Sequence, residues 1–184
     1  MSQLTMINGV DAHGLADAVN MIRDDPSLAQ FQFRVRNKWL GGGQNRSAIQ
    51  DFHAWGKEDD TRTHPFVLDC DEPHVLLGND QAPNPAEYVL HALAGCLTTS
   101  LAHHAAAHNI EIESIQSEVD GEIDIREFLG LSNKVPRSFQ KIRVTMHVRS
   151  DAPISKLEEL AQFSPVYNAL TRPVAVELRI TKDD

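Results

Sequence analysis

The chain has 184 residues, enough for one compact domain with a sizeable core, and its 41% hydrophobic and 23% charged content is that of an ordinary globular protein. A formal net charge of -9 predicts a surface that repels nucleic acid and anionic lipid, and no basic run offsets it. The first residues lack a positive start followed by an apolar stretch, and the most apolar region, residues 88–107, is interrupted by His91, Thr98, Thr99, His103 and His104. Neither a secretory signal nor a membrane span is therefore expected, and the chain reads as cytoplasmic. The two cysteines, Cys70 and Cys96, are too few for a disulfide scaffold and show no Cys-x-x-Cys zinc pattern, so they are buried hydrophobes or reactive thiols.

Residues 1–30 read as an N-terminal helical extension. Asp11 is placed to cap a helix carrying Leu15, Ala16, Val19 and Ile22 at helical spacing, and Asp25-Pro26 stops it. Phe31, Phe33 and Val35 alternate with polar residues and predict a strand that ends in a turn at Gly41-Gly42-Gly43. A second strand is expected over Arg46 to Trp55, and a third over Phe66 to Asp69 after a polar loop, together an antiparallel meander. Residues 71–83 read as an irregular loop. Asn84-Pro85-Ala86-Glu87 is then the strongest helix start in the chain, with Asn84 at the N-cap, Pro85 at the first helical position and Glu87 three residues after the cap. This helix is apolar nearly all round and is expected to be buried, ending near His108-Asn109.

Two long strands follow, one carrying Ile115, Val119, Ile123 and Ile125 on a face and the other Ile142, Val144, Met146 and Val148, with a loop at Gly130 to Arg137 between them. Asp151 or Ser155 is expected to start a helix over Ile154 to Phe163, with Ser155 and Glu158 at capping-box spacing. Ser164-Pro165 opens a short helix to Leu170, and Val174, Val176, Leu178 and Ile180 predict a final strand. The order β-β-β, α, β-β, α, β is that of an α+β fold.

The long helix places Cys96 about three turns from its start, directly after Gly95. Glycine costs roughly 1 kcal/mol against alanine inside a helix. It is accounted for either by close packing around an inert thiol or by the close approach of a backbone or substrate to Cys96. The segment NPAEYVLHALAGCLTTSL, residues 84–101, resembles the signature helix of the family of osmotically inducible protein C and the organic hydroperoxide resistance proteins. The resemblance extends over residues 31–180, so that residues 31–184 form the family domain. It implies an α+β fold of curved antiparallel sheet around a central buried helix, built as an intertwined homodimer. It also implies reduction of organic hydroperoxides by a thiol.

On this resemblance Cys96 is the nucleophile, whose thiolate attacks the peroxide and becomes a sulfenic acid. Arg46, after the glycine turn, is its activating cation, in preference to Arg34 and Arg36; as a sequence feature alone it is equally a solvated hairpin arginine. Glu87 would orient Arg46, or else serve only the helix cap. Two departures stand out. Peroxidase members often carry glutamate directly after Asn-Pro, where this chain has Ala86, and many carry a resolving cysteine where it has Ser164. Serine forms no disulfide, so resolution falls to Cys70, whose acidic neighbours would slow it, or to an external thiol or dithiol, with no cofactor expected. His104 and His108 stand at a metal-ligand spacing but read as helix-end histidines, and no metal is expected. The reading is thus a thiol-dependent peroxidase of organic hydroperoxides; the alternative is a dimer that binds a small apolar or electrophilic ligand without turnover. Itself and that small molecule are the expected partners, with no nucleic acid and no membrane.

Overall fold

A computed structural model describes residues 6–182. The beginning of the predicted extension, residues 1–5, lies outside them. The chain divides into two compact units, Met1–His91 and Ala92–Asp184. Its helices and antiparallel strands make it an α+β protein. Among the described residues no helix is long and apolar enough to cross a membrane.

The first unit opens with a hairpin of β1 (Met6–Ile7) and β2 (Val10–Asp11), which leads into α1 (Ala12–Asp24). Asp11 caps α1 as its sequence predicts, accepting from the His13 and Gly14 amides at 3.1 Å each. Next come β3 (Gln32–Phe33), β4 (Arg36–Gly41), β5 (Gln44–Ile49), β6 (Phe52–Ala54), β7 (Lys57–Asp59) and β8 (Phe66–Cys70). They form two antiparallel sheets, ordered β4-β5-β8 and β3-β6-β7. The triple-glycine turn between β4 and β5 works through Gly41 and Gly42, whose φ values of 120° and 55° exclude most side chains. The single strand expected over Arg46 to Trp55 is two, because the chain leaves one sheet after Ile49 and enters the other at Phe52. A further short strand, β7, lies in the stretch expected to be loop.

α2 (Pro85–Ala107) has the predicted ends. The Asn84 side chain accepts from the Glu87 amide at 2.9 Å while the Glu87 carboxylate accepts from the Asn84 amide at 2.8 Å, a complete capping box. Past its last turn Asn109 takes the left-handed conformation, φ 54°.

In the second unit the core-facing stripe of α2, Leu93, Leu97, Leu101 and Ala105, packs with Leu157, Leu160 and Ala161 of α3 (Ile154–Ala161). Both helices lie on the apolar face of a hairpin of β9 (Ser114–Ile123) and β10 (Phe139–Arg149), where Ile115, Val119, Ile142, Val144, Met146 and Val148 close the cluster. α4 (Pro165–Thr171) follows.

Three expectations are corrected here. α2 is buried along one stripe and not all round, since His91, Gly95, Thr99, His103 and Ala107 form an exposed row at four-residue spacing. α3 begins at Ile154 after an N-cap at Pro153 that supplies no side-chain bond; Ser155 therefore falls inside the first turn and its capping box with Glu158 does not form. Residues 173–182 belong to no helix or sheet, so the final strand is missing although its alternation is intact. Its apolar positions face solvent, with Val176, Leu178 and Ile180 each at least 85% exposed.

Candidate active site

Cys96 is a free, half-buried thiol on α2, flanked by an open position on one side and the core stripe on the other. A side chain built at Gly95 would meet nothing within 4 Å. No group of the described chain thus fills the approach that glycine leaves beside Cys96. The next residue, Leu97, belongs to the core stripe and also lines an open groove of about 840 Å³ in the second unit. Leu101, Val144, Met146 and Leu157 make its apolar wall, and His147 and Arg149 supply polar groups. Such a groove suits a small, largely hydrocarbon molecule with a polar end.

Arg46 lies on β5, directly across from Asp69 on β8. Its guanidinium forks onto the Asp69 carboxylate, Nε to Oδ1 at 2.6 Å and Nη2 to Oδ2 at 2.8 Å. These hydrogen bonds first, and then the opposite charges, hold Asp69 below the usual carboxylate range and Arg46 above its own. The Asp69 carbonyl accepts the Tyr88 hydroxyl at 2.8 Å, which ties the end of β8 to the first turn of α2. Arg34 and Arg36 are engaged elsewhere, Arg34 on Glu58 and Asp51, Arg36 on Asp51. Glu87 is occupied by the capping box.

Cys70 ends β8, half-buried and free. Burial, and then the charges of Asp69 and Glu72, push its thiol up, which lowers the fraction of reactive thiolate. Ser164, where the resemblance leads one to expect a resolving cysteine, is fully buried at 0% exposure and caps α4, its Oγ accepting from the Tyr167 amide at 3.1 Å. Replacing it with alanine is expected to cost about 1 kcal/mol, the worth of an N-cap. A cysteine there loses the same oxygen acceptor, and urea denaturation of both variants checks the point.

The histidine pair is used singly. His104 stacks on Phe163 with ring centroids 4.2 Å apart, and His108 Nδ1 lies 2.7 Å from the His104 carbonyl. Burial, and then neighbouring His108 and His103, hold His104 below the ordinary histidine value.

Two groups escaped the sequence reading. Asp69 was seen only as an acidic neighbour of Cys70. Asp71, read the same way, is 1% exposed and organises the loop that follows. Its carboxylate accepts from the Glu72 amide (2.8 Å), the Gln44 side chain (3.1 Å) and the amides of Asn79 and Gln81 (3.2 Å each). The loop closes so tightly that a Cβ on Gly78 would lie 1.8 Å from the Glu72 carbonyl oxygen, a contact only glycine avoids. The signal in the sequence was the Asp-Cys-Asp-Glu run opening the loop that holds Gly78, but nothing local to it tells a buried carboxylate from a solvated one.

The family model described as OsmC-like protein matches residues 78–179. Among solved structures, an OsmC-like protein from Mycoplasma pneumoniae is 14% identical, with a TM-score of 0.56 over 76% of this chain and 87% of that one. An OsmC-like protein of unknown function from Vibrio cholerae is 17% identical, with a TM-score of 0.50 over 75% and 92%. These two likenesses show a shared fold. The organic hydroperoxide resistance protein OhrB of Bacillus subtilis is 26% identical over 77% and 90%, with a TM-score of 0.43. No curated protein matches the sequence. With a family match that spans more than half of its length, the chain belongs to the OsmC-like protein family.

Proposed function

We propose that the protein is a thiol-dependent peroxidase of organic hydroperoxides, working through Cys96. The observation that carries the reading is a free, half-buried cysteine on the family's helix, one residue before the wall of an apolar groove. The thiolate attacks the distal peroxide oxygen, the O–O bond breaks, and the alkoxide leaves as an alcohol after taking a proton; Cys96 holds the oxygen as a sulfenic acid. A dithiol from outside the chain then reduces the sulfenic acid, releasing water and leaving as a disulfide. The raised Cys70 thiol and the helix-capping Ser164 favour this external route over an internal disulfide. Arg46 is the activating cation, and the sequence resemblance gives the task of orienting it to Glu87. The hydrocarbon wall of the groove favours an organic substrate over hydrogen peroxide.

The same reading includes a cytoplasmic homodimer. Support for the dimer comes from segment 173–182, which joins no sheet among the described residues, since apolar residues at alternate positions are stable in a sheet and costly in water. Analytical ultracentrifugation is expected to give twice the chain mass; a monomer at micromolar concentration would refute it.

To test the activity, cumene hydroperoxide is supplied with dithiothreitol and its loss is followed for the wild type and Cys96→Ser. Loss that depends on Cys96 supports the peroxidase. Equal rates, together with retention of the hydroperoxide or its alcohol in the groove, would favour ligand binding without turnover, the reading that the groove alone supports.

A further inference from the structure

We propose that Asp69 is the positioning residue for Arg46, in the place the sequence gives to Glu87. This rests on the peroxidase reading above and deepens it. Three observations converge. First, Asp69 is the carboxylate that holds the guanidinium, through two bonds of 2.6 and 2.8 Å made across an antiparallel register in which the two residues are direct partners. A bidentate fork fixes the plane of a guanidinium as well as its distance. It occupies Nε and Nη2, and among the described residues Nη1 makes no bond, so one edge of the cation carries no protein partner. Second, Asp69 is itself held, because the Tyr88 hydroxyl bonds its carbonyl at 2.8 Å and β8 pairs with β5 along five residues. Third, the other carboxylate candidates are absent or engaged. The position after Asn84-Pro85 is Ala86, and the Glu87 carboxylate closes the capping box at 2.8 Å.

An exposed ion pair adds little to stability, so loss of Asp69 leaves the fold in place. That separates a positioning role from a structural one. The experiment compares the wild type with Asp69→Asn, Asp69→Glu, Glu87→Gln and Cys96→Ser, using cumene hydroperoxide and dithiothreitol across pH 5 to 9. Asp69→Asn is expected to lower kcat/KM about tenfold and to move the midpoint of the rate's rise with pH upward by about one unit, the equivalent of one lost charge-assisted contact. Asp69→Glu, which keeps the charge and the fork, is expected to recover most of the rate. Circular dichroism and melting temperature should be the same for the three variants at positions 69 and 96 and for the wild type. If Asp69→Asn keeps the wild-type rate and pH profile, or if Glu87→Gln produces the shift instead, the assignment is overturned while the peroxidase reading stands. If the wild type is no faster than Cys96→Ser, the peroxidase reading fails and the assignment falls with it.

Discussion

Leu101→Ala is expected to destabilise the second unit by about 3 kcal/mol, the middle of the range for a buried leucine cut back to alanine. Leu101 is 1% exposed and stands at the centre of the stripe by which α2 seats on α3 and the β9–β10 hairpin. The other members of the cluster are mostly leucines, isoleucines and valines drawn from α2, α3, α4, β9 and β10, so a collapse that fills the void would have to move several at once. A loss of this size lowers the melting temperature by about 6–12 °C in a chain of this length. Calorimetry measures it directly. A change under 1 kcal/mol would show that the stripe is not the core of the unit. Thr99→Ala, on the exposed row of the same helix, serves as the comparison, since surface substitutions usually stay within about 0.5 kcal/mol.

Asp71→Asn should have the second large effect, although it changes a single atom. Three of the four donors, from Gln44, Asn79 and Gln81, converge on Oδ2, and the fourth, the Glu72 amide, meets Oδ1. Asparagine must turn an NH2 group toward N–H donors on one side or the other, leaving buried donors unsatisfied. A fall of about 10 °C in melting temperature is expected at pH 7. The pH dependence has a definite sign. The Gln44 side chain first, and then the backbone amides, hold the Asp71 carboxyl below the usual carboxylate range, against the opposing effect of burial. Its stabilising effect is therefore complete above the ordinary aspartate value and is lost as pH falls through the lowered one. Wild-type stability should decline on acidification below about pH 4, and the decline should be shallower in Asp71→Asn. Equal acid limbs would show that this carboxylate does not organise the loop.

What the sequence disclosed and what it withheld divide along the range of the interactions. The ends of α2 were legible because a capping box and a left-handed asparagine are settled within a few residues: Asn84, Pro85 and Glu87 at one end, Asn109 at the other. The cap at Ser164 was legible for the same reason. Alternation marked the faces of β9 and β10 because one face is buried. The same alternation at Val174 to Ile180 announced a strand that finds no ladder in the described chain, since a pattern of side chains specifies a face and never its partner. At the site, Cys96 stood out through its helix, but the fork between Arg46 and Asp69 joins residues 23 apart in sequence through strand register. Register was not readable from either segment alone. Asp71 was hidden for a related reason, as its donors come from residues 44, 72, 79 and 81.

The most direct test of the central claim is the fate of one sulfur. The reduced protein and Cys96→Ser are treated with one equivalent of cumene hydroperoxide in the presence of dimedone, which traps sulfenic acids, and intact mass and peptide mapping are recorded. The account predicts a single dimedone adduct on Cys96 in the wild type, none in the variant, and an unmodified Cys70 in both. A wild type that keeps Cys96 reduced, or an adduct of equal yield in the variant, would contradict it.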